Sequence, residues 1–176
     1  AFCDGRSEPD WLQSRRQEAF KAYQALLHKP LDPEEFKRID LRTFRPEQYH
    51  LPAPTGEAPA VLETLMQDRG EFAGTVVHID GRCVRSALSE DLAARGVLFG
   101  SLAELLPQHR QTLEPYFLTR AVDPEADRFA AWHAAFWTGG TVLYVPRNVE
   151  IKVPLYSLIG LAEQYAADFS HTLVIL

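Results

Sequence analysis

The hydrophobic pattern changes its period inside one stretch of the chain, residues 127–155. Before Gly139-Gly140, bulky side chains recur at the spacing of one helix face, at Phe129, Trp132, His133, Phe136 and Trp137. After this glycine pair the period becomes two, because Val149, Ile151, Val153 and Leu155 alternate with Glu150, Lys152 and Pro154. The pattern predicts an aromatic helix that docks at the mouth of a sheet.

Helix-start signals dominate the beginning of the chain. Ser7-Glu8-Pro9-Asp10 combines a cap residue, an early proline and acids of a first turn, and it predicts a helix whose apolar stripe continues to Pro30. We interpret Arg15-Arg16, within this helix, as part of a solvated face. Asp32-Pro33-Glu34-Glu35 indicates a second, shorter helix start.

The middle of the chain mixes strand and helix signals. Asp80-Gly81 predicts a tight hairpin turn between strands at 75–79 and 82–84. Ser89 and Ser101 are each placed to begin a short helix, with a short buried strand at 97–99 between them. Residues 123–125 predict the start of the aromatic helix, and the run 171–176 is typical of a strand.

Composition divides the chain into four parts. Residues 1–44 form a helical segment, 45–60 a proline-rich linker, 61–138 a mixed α/β region, and 139–176 the beginning of a further β region. The linker contains Pro46, Pro52, Pro54, Gly56 and Pro59, which predicts an extended conformation. The last strand-like run stops without a turn signal, so we interpret the chain as the amino-terminal part of a longer protein.

Charge and apolar content argue against two classes of partner. The formal net charge is −6, so the basic surface that nucleic acid binding needs is not visible. No run approaches the roughly 18 apolar residues of a membrane span. We therefore expect neither a nucleic acid nor a membrane as a partner. The two cysteines, Cys3 and Cys83, are too few for a disulfide framework and fit a reducing compartment.

Metal chemistry is not indicated by the spacing of its usual ligands. The six histidines and two cysteines form no Cys-x-x-Cys, His-x-x-x-His or His-Glu-x-x-His motif. His78 and Cys83 can approach each other across the predicted hairpin, but we interpret them as a strand histidine and a small core thiol. His133 is interpreted as a core or interface histidine.

Acid pairs and the glycine pair also have structural interpretations. Glu34-Glu35 and Glu90-Asp91 lie at predicted helix starts, where the helix dipole favours them. Gly139-Gly140 lacks the further glycines and the lysine of a phosphate loop. The residues by themselves therefore predict an α+β protein, with no catalytic, cofactor-binding or metal-binding residue.

Several segments resemble one protein family, in order along the chain. Residues 127–140, DRFAAWHAAFWTGG, resemble the element NKFAALNxAxWxGG of the SufB/SufD family of iron-sulfur cluster assembly proteins. Residues 141–149 are similar to the family's following xFxYVPKGV, and residues 169–175 to its FERTLIIV. Glu8–Leu12 matches EPEWL, and Phe36–Leu41 weakly matches WKYTDL. Asn148 replaces the family's usual glycine with another residue that tolerates a left-handed turn.

The resemblance implies a helical amino-terminal domain followed by the first rungs of a right-handed parallel β-helix. This β-helix would begin within residues 139–176, and the aromatic helix would cover its end. The hairpin at 76–84 favours the SufD branch over SufB. Members are often labelled as components associated with an ABC transporter, but no membrane segment here supports transport.

The resemblance also implies a function. It indicates a non-catalytic scaffold subunit of the cytoplasmic SUF complex, which pairs with a SufB/SufD partner and a SufC-type ATPase. The family's cluster-related residues and ATPase-binding segment lie beyond residue 176. We therefore expect Fe-S cluster association for the full complex, and we transfer no catalytic, cofactor-binding or metal residue to this chain.

Two other classes of function remain open. A β-helix enzyme, such as a polysaccharide lyase or an acyltransferase, would need clustered acids or a histidine on the solenoid face. A partner-binding module would use the helices of residues 7–29. A truncated solenoid also exposes a rung, so we expect self-association, for example into a homodimer.

Overall fold

A computed structural model of the chain describes residues 8–52, 70–119 and 121–176. The predictions made for Ser7, for Cys3 and for residues 53–60 of the linker lie outside these ranges. The described chain divides into two compact units. The first unit contains residues 8–49 and 115–137, and the second contains 50–52, 70–114 and 138–176. The aromatic helix and the glycine pair that follows it therefore belong to different units.

The elements follow one another in a mixed order. The helices are α1 (Asp10–Leu26), α2 (Glu90–Ala94), α3 (Leu102–Gln108), α4 (Arg110–Leu113) and α5 (Arg128–Phe136), with one 3-10 turn at Pro46–Gln48. The strands are β1 (Gly74–Ile79), β2 (Arg82–Leu88), β3 (Leu98–Ser101), β4 (Thr141–Tyr144), β5 (Leu155–Gly160) and β6 (Leu173–Ile175). No helix of the described ranges has both the length and the apolar character that crossing a membrane requires.

The first unit is built on the packing of α1 against α5. The predicted helix at the start of the chain is confirmed, and Pro9 stands at its N-cap position, where a missing N–H costs nothing. Leu12 and Ala19 of α1 are buried, as are Ala131 and Ala134 of α5. Small alanines on α5 permit close approach of the two helices, and aromatic rings of the two helices contact each other in the pairs Phe20–Phe136 and Tyr23–Trp132.

Two helix predictions in the first unit are wrong. At Asp32 the carboxylate accepts a hydrogen bond from the Glu34 backbone N–H at 2.7 Å, which closes a turn that does not continue as a helix. At Asp123 the carboxylate likewise closes a turn by accepting from Glu125 N–H at 2.8 Å. The aromatic helix begins only at Arg128, because Asp127 caps it and accepts from the N–H groups of Phe129 and Ala130.

The hairpin of the second unit confirms the Asp-Gly prediction. Asp80 and Gly81 have φ values of 51° and 74°, the positive values that two-residue hairpin turns require. Ile79 and Arg82 face each other across the turn. Every residue of β1 is buried, whereas β2 is largely exposed. β1 is therefore a central strand and β2 an edge strand.

The second unit contains two small mixed sheets. One has the order β2-β1-β5, with β1 antiparallel to β2 and parallel to β5. The other has the order β3-β4-β6, with β4 antiparallel to β3 and parallel to β6. The hydroxyls of Thr141 on β4 and Ser157 on β5 lie 2.7 Å apart and join the two sheets. The prediction of a strand at the end of the chain is confirmed by β6.

The prediction of a right-handed parallel β-helix is wrong for the described residues. In a β-helix each strand lies above the equivalent strand of the preceding coil, so that its sheets are parallel throughout. Here each sheet has three strands, and each contains an antiparallel pair. The described chain is a small α+β structure. The aromatic helix consequently has no solenoid end to cover, and the homodimer expectation loses the open rung on which it rested.

The two-fold pattern of residues 149–155 misled the prediction. Residues 149–154 form no strand, and β5 begins only at Leu155. Pro154 has no N–H to donate to a sheet, although its carbonyl accepts from Ala73 N–H at 2.9 Å. Val153 is 41% exposed, which shows that this apolar position does not face a core.

Candidate functional site

The glycine pair lies at a close backbone crossing, which we call the glycine junction: residues 138–140 against residues 168–171. The Thr138 N–H donates to the Phe169 carbonyl at 3.2 Å, and the His171 N–H donates to the Gly139 carbonyl at 2.9 Å. A Cβ on Gly140 would overlap the backbone of His171, and a Cβ on Gly139 would lie 2.8 Å from the Gly81 carbonyl oxygen. Both glycines therefore serve backbone packing.

His78 of β1 lies beside the glycine junction and is fully buried. A Cβ on Gly139 would lie 3.7 Å from its Nδ1 atom. Neither ring nitrogen has a hydrogen-bond partner among the described residues. Burial lowers the pKa of the imidazole, because a low-dielectric interior disfavours the charged form; the Asp168 carboxylate and, more weakly, the nearby Gly140 backbone oppose this shift. His78 is therefore a buried base that is held in its neutral form.

Asp168 does not orient His78 for catalysis. Its carboxylate accepts from the Thr138 hydroxyl at 3.2 Å and from the Ser170 hydroxyl at 2.7 and 2.6 Å to its two oxygens. Nucleophilic serines are activated by a base such as histidine or lysine, whereas the Ser170 hydroxyl donates to the Asp168 carboxylate. These hydrogen bonds hold the crossing segment 168–171 against Thr138, which is a structural task.

Cys83 faces His78 in the hairpin register, as the sequence allowed. Its thiol is half-buried and donates to the Arg85 carbonyl oxygen at 3.3 Å. Burial raises the pKa of the Cys83 thiol, and the Glu104 carboxylate raises it further. A protonated thiol is a poor nucleophile and a poor metal ligand. Within the ranges that the structure describes, no group of three or more His, Cys, Asp or Glu residues could hold a metal ion.

The acid pairs that the sequence assigned to helix starts have different positions. Glu90 and Asp91 lie in the first turn of α2, as predicted. Ser89 and Ser101 occupy the N-cap positions of α2 and α3, but neither side chain makes the capping hydrogen bond. Glu34 forms an exposed ion pair with Lys37 at 2.7 Å, at a turn. Exposed pairs of this kind add little stability.

A second centre, which we call the Arg16 centre, lies in the first unit and has no counterpart among the sequence predictions. Arg16 is 2% exposed, so its assignment to a solvated face is wrong. Its Nε and Nη2 atoms donate to the two carboxylate oxygens of Glu8, each at 2.8 Å. Its Nη1 atom donates to the Ala135 carbonyl at 3.1 Å, in the last turn of α5. Its guanidinium carbon lies 4.1 Å from the ring centroid of Trp137.

The remaining contacts of the Arg16 centre complete its enclosure. Trp137 is 1% exposed, and the Phe117 ring meets it edge-on with centroids 5.2 Å apart. Bidentate pairing and stacking suit arginine in particular, because its guanidinium is planar and carries five N–H donors. One signal in the sequence could have revealed the buried arginine: Arg16 lies four residues after Leu12 and three before Ala19, on the apolar stripe.

A family model covers the residues that form the Arg16 centre and the glycine pair of the glycine junction. The model, described as the SufBD protein N-terminal region, matches residues 5–156. The chain belongs to the SufBD family. This match confirms the family resemblance of the sequence motifs, and it includes Glu8, Arg16 and the glycine pair.

Curated relatives of this SufBD chain agree with the match. The chain is 25% identical over 181 residues to the iron-sulfur cluster assembly protein SufD of Bacillus subtilis, covering 99% of the chain and 40% of that relative. It is 25% identical over 183 residues to a SufBD family protein of Staphylococcus haemolyticus, covering 97% and 38%. A SufBD family protein of Mycobacterium bovis is 27% identical over 186 residues, covering 97% and 21%. The chain thus spans at most about two fifths of these relatives.

The structure explains the SufBD-like motifs by packing. Glu8, in the EPEWL-like start, holds Arg16, and the end of the aromatic element supplies Trp137, which stacks on it. The following glycines admit the backbone of residues 169–171. Asn148 has a φ of 63°, so the left-handed turn that the sequence allowed at this position is confirmed.

Proposed function

We propose that this chain forms the amino-terminal part of a scaffold subunit of the SUF iron-sulfur cluster assembly complex. The observation that carries the proposal is the SufBD family match across residues 5–156. The Bacillus subtilis and Staphylococcus haemolyticus relatives are named as iron-sulfur cluster assembly proteins, which supports the same process for this chain. On this proposal the complete subunit pairs with a SufB/SufD partner and a SufC-type ATPase in the cytoplasm.

The buried polar groups support a scaffold and give no support to a catalyst. Glu8 and Arg16 satisfy each other and the end of α5, and Asp168 holds Thr138 and Ser170. The described residues supply no metal-ligand group, and the Cys83 thiol is held protonated. An iron-sulfur cluster would be cargo of the assembled complex, with its ligands supplied from outside the described residues. The enzyme alternative required a β-helix face, which these residues do not form.

The SufD branch is the finer part of the proposal. It rests on the relative of Bacillus subtilis, which carries the name SufD, and on the hairpin at 76–84, whose strands and turn the structure contains. On this branch the partner subunit is of the SufB type. Expression of the complete protein with SufB-type and SufD-type partners in separate cultures distinguishes the two branches.

Co-purification tests the proposed function. The full-length protein, tagged and expressed with the SufC-type ATPase and the SufB-type subunit of its own organism, is expected to retain both through affinity capture and gel filtration. An ATPase of the same fold from a sugar importer is the matched control and is expected in the flow-through. Capture of neither Suf-type partner by a folded, full-length protein would overturn the proposal.

A further inference from the structure

The first unit contains an aromatic pocket, lined by Tyr23 of α1, Leu27 just after α1, Arg128, Phe129 and Trp132 of α5, and Leu41, Phe44 and Pro46 of the intervening segment. Its volume is about 240 Å³, comparable to one large side chain. Leu27 and Phe44 are 38% and 36% exposed. Among the described residues, this pocket is open and largely apolar, whereas the Arg16 centre is enclosed.

Ring contacts keep the walls of the pocket in place. Tyr23 and Trp132 are stacked, with centroids 6.1 Å apart and an angle of 28° between their planes. The rings of Phe44 and Phe129 also contact each other, with centroids 6.4 Å apart. Contacts of this kind hold residues 41–46 against α5, although the only backbone hydrogen bond described within this segment is the one from the Phe44 N–H to the Leu41 carbonyl. The opening is thus preformed by rigid side chains, which lowers the entropy cost of binding.

The charge of the aromatic pocket is one-sided. Arg128 is the charged residue among the described residues that line it, and no acid lines it. The Arg128 Nη1 atom donates to the Leu27 carbonyl at 3.3 Å, and the guanidinium carbon lies 5.5 Å from the Phe129 ring centroid. These contacts fix the guanidinium while leaving donors for a ligand, since arginine has five N–H groups. The nearest acid along the chain, Asp127, already accepts the N–H groups of Phe129 and Ala130.

We infer that the aromatic pocket binds a partner protein through a bulky apolar side chain that has acidic residues as its neighbours. The apolar side chain fills the cavity between the aromatic walls, and a neighbouring carboxylate pairs with Arg128. Charge complementarity selects this occupant, because an apolar segment with basic neighbours would meet Arg128 unfavourably. The inference goes beyond the proposed function and is independent of it: it concerns a site in the first unit and needs no ATPase.

Peptide binding to the complete protein tests the inference. The probe is a fluorescein-labelled peptide Gly-Leu-Phe-Asp-Glu with blocked termini, and the matched neutral probe is Gly-Leu-Phe-Asn-Gln. Fluorescence anisotropy is expected to show saturable binding of both, with the acidic peptide about fivefold tighter at low salt. Equal affinities, or no saturable binding of either peptide, would overturn the inference.

Three variants locate the binding. Arg128→Gln is expected to remove the preference for the acidic peptide, and Leu41→Trp, which fills the cavity from the irregular segment, is expected to weaken both peptides. Lys21→Gln, on the exposed surface of α1 and outside the pocket, is the control and should change neither affinity. Circular dichroism confirms that each variant is folded. Affinity unchanged in folded Arg128→Gln would contradict the inference, as would N-acetylphenylalanine competing as strongly as the peptide, which would indicate a small-molecule site.

Discussion

The Arg16 centre and the glycine junction both bury polar groups, but they do so in opposite ways. In the Arg16 centre, the guanidinium donates to the Glu8 carboxylate and the Ala135 carbonyl and stacks on the Trp137 ring. At the glycine junction, backbone hydrogen bonds join the segment 168–171 to residues 138 and 139, while His78 beside it leaves both ring nitrogens without a described partner. The Arg16 centre is thus stabilised by charge pairing, whereas the glycine junction requires residues without side chains.

The difference teaches which substitutions each unit tolerates. A buried ion pair is weak evidence for stability in itself, but removing one member leaves an uncompensated charge. At a close backbone crossing no side chain supplies the contact, so no side-chain truncation can break it. A larger residue does disrupt it, because the added atoms have no space. An orphaned imidazole is different again, because replacing it with an apolar ring removes a cost. The following variants test these three expectations and one helix cap.

The largest effect is expected at the glycine junction. Gly140 has a φ of 129°, and its Cβ position overlaps the His171 backbone. Gly140→Val is therefore expected to lower the free energy of unfolding by more than about 4 kcal/mol. The control is Gly70→Val, since Gly70 also has a positive φ, 80°, but has nothing within 4 Å of its Cβ position. Urea denaturation that shows equal losses for the two variants would refute the crossing as the cause.

The next largest effect is expected at the Arg16 centre. Arg16→Met keeps the apolar contact with Trp137 but leaves Glu8 without its bidentate partner, and the Glu8 side chain is only 12% exposed. We expect a loss of about 3 to 5 kcal/mol in the free energy of unfolding. The double variant Glu8→Gln with Arg16→Met should recover part of this loss. Chemical denaturation of the single and the double variant, with Lys21→Met as the surface control, measures the free energy of unfolding. A double variant that recovers none of the loss would argue against an uncompensated buried charge as its cause.

A smaller, pH-dependent effect is expected at His78. Its folded-state pKa is lowered, mainly by burial, so the unfolded state binds the proton more readily. Its contribution is fully present above the unfolded pKa of about 6.5 and is lost as pH falls, by at most about 1.4 kcal/mol per pH unit. His78→Phe should flatten this acid limb and leave stability near pH 7 unchanged or higher. Unfolding curves from pH 5 to 8 measure it, with His28→Phe, on the exposed surface, as the control.

A persistent acid limb in His78→Phe would assign the pH dependence to other groups. Asp168 is the charged group that acts most strongly on His78. Asp168→Asn would remove its opposing charge but also one of the two carboxylate oxygens that accept from Thr138 and Ser170, so it is less informative than the histidine variant.

The smallest effect is expected at the cap of α5. Asp127→Ala removes the acceptor for the N–H groups of Phe129 and Ala130 and should cost about 1 kcal/mol. Asp123→Ala is the matched control, because that aspartate accepts one N–H in an exposed turn. Thermal melts compare the melting temperatures of the two variants. A larger decrease in melting temperature for Asp123→Ala would show that the helix begins at residues 123–125, where the sequence first indicated.

Local chemistry explains which features were predictable from the sequence. The turn at Asp80-Gly81 requires positive φ at two successive positions, and few residue pairs other than Asp-Gly meet that requirement. The start of α1 combined proline with acids. The family motifs identified the family because each is a short, contiguous run and the runs follow one another in the family's order. Each of these signals lies within a few neighbouring residues.

The features that the sequence did not reveal depend on distant partners. β1 pairs with β5 across some 80 positions of the chain, and no local pattern shows that this strand of the predicted hairpin also has a distant parallel partner. The ligands of Arg16 come from Glu8 and, far along the chain, from Ala135. Aspartate signals both a turn and a helix cap, so Asp123 and Asp127 could not be distinguished by composition alone.

Cluster assembly in cells tests the central claim, that the chain belongs to a scaffold subunit, most directly. The measurement is the iron and acid-labile sulfide content of an iron-sulfur reporter protein, purified from Bacillus subtilis cells depleted of their own SufD and supplied with the full-length protein and its cognate partners. We predict that both contents rise towards those of undepleted cells. Contents that stay at the depleted level, with the protein folded and present, would contradict the claim.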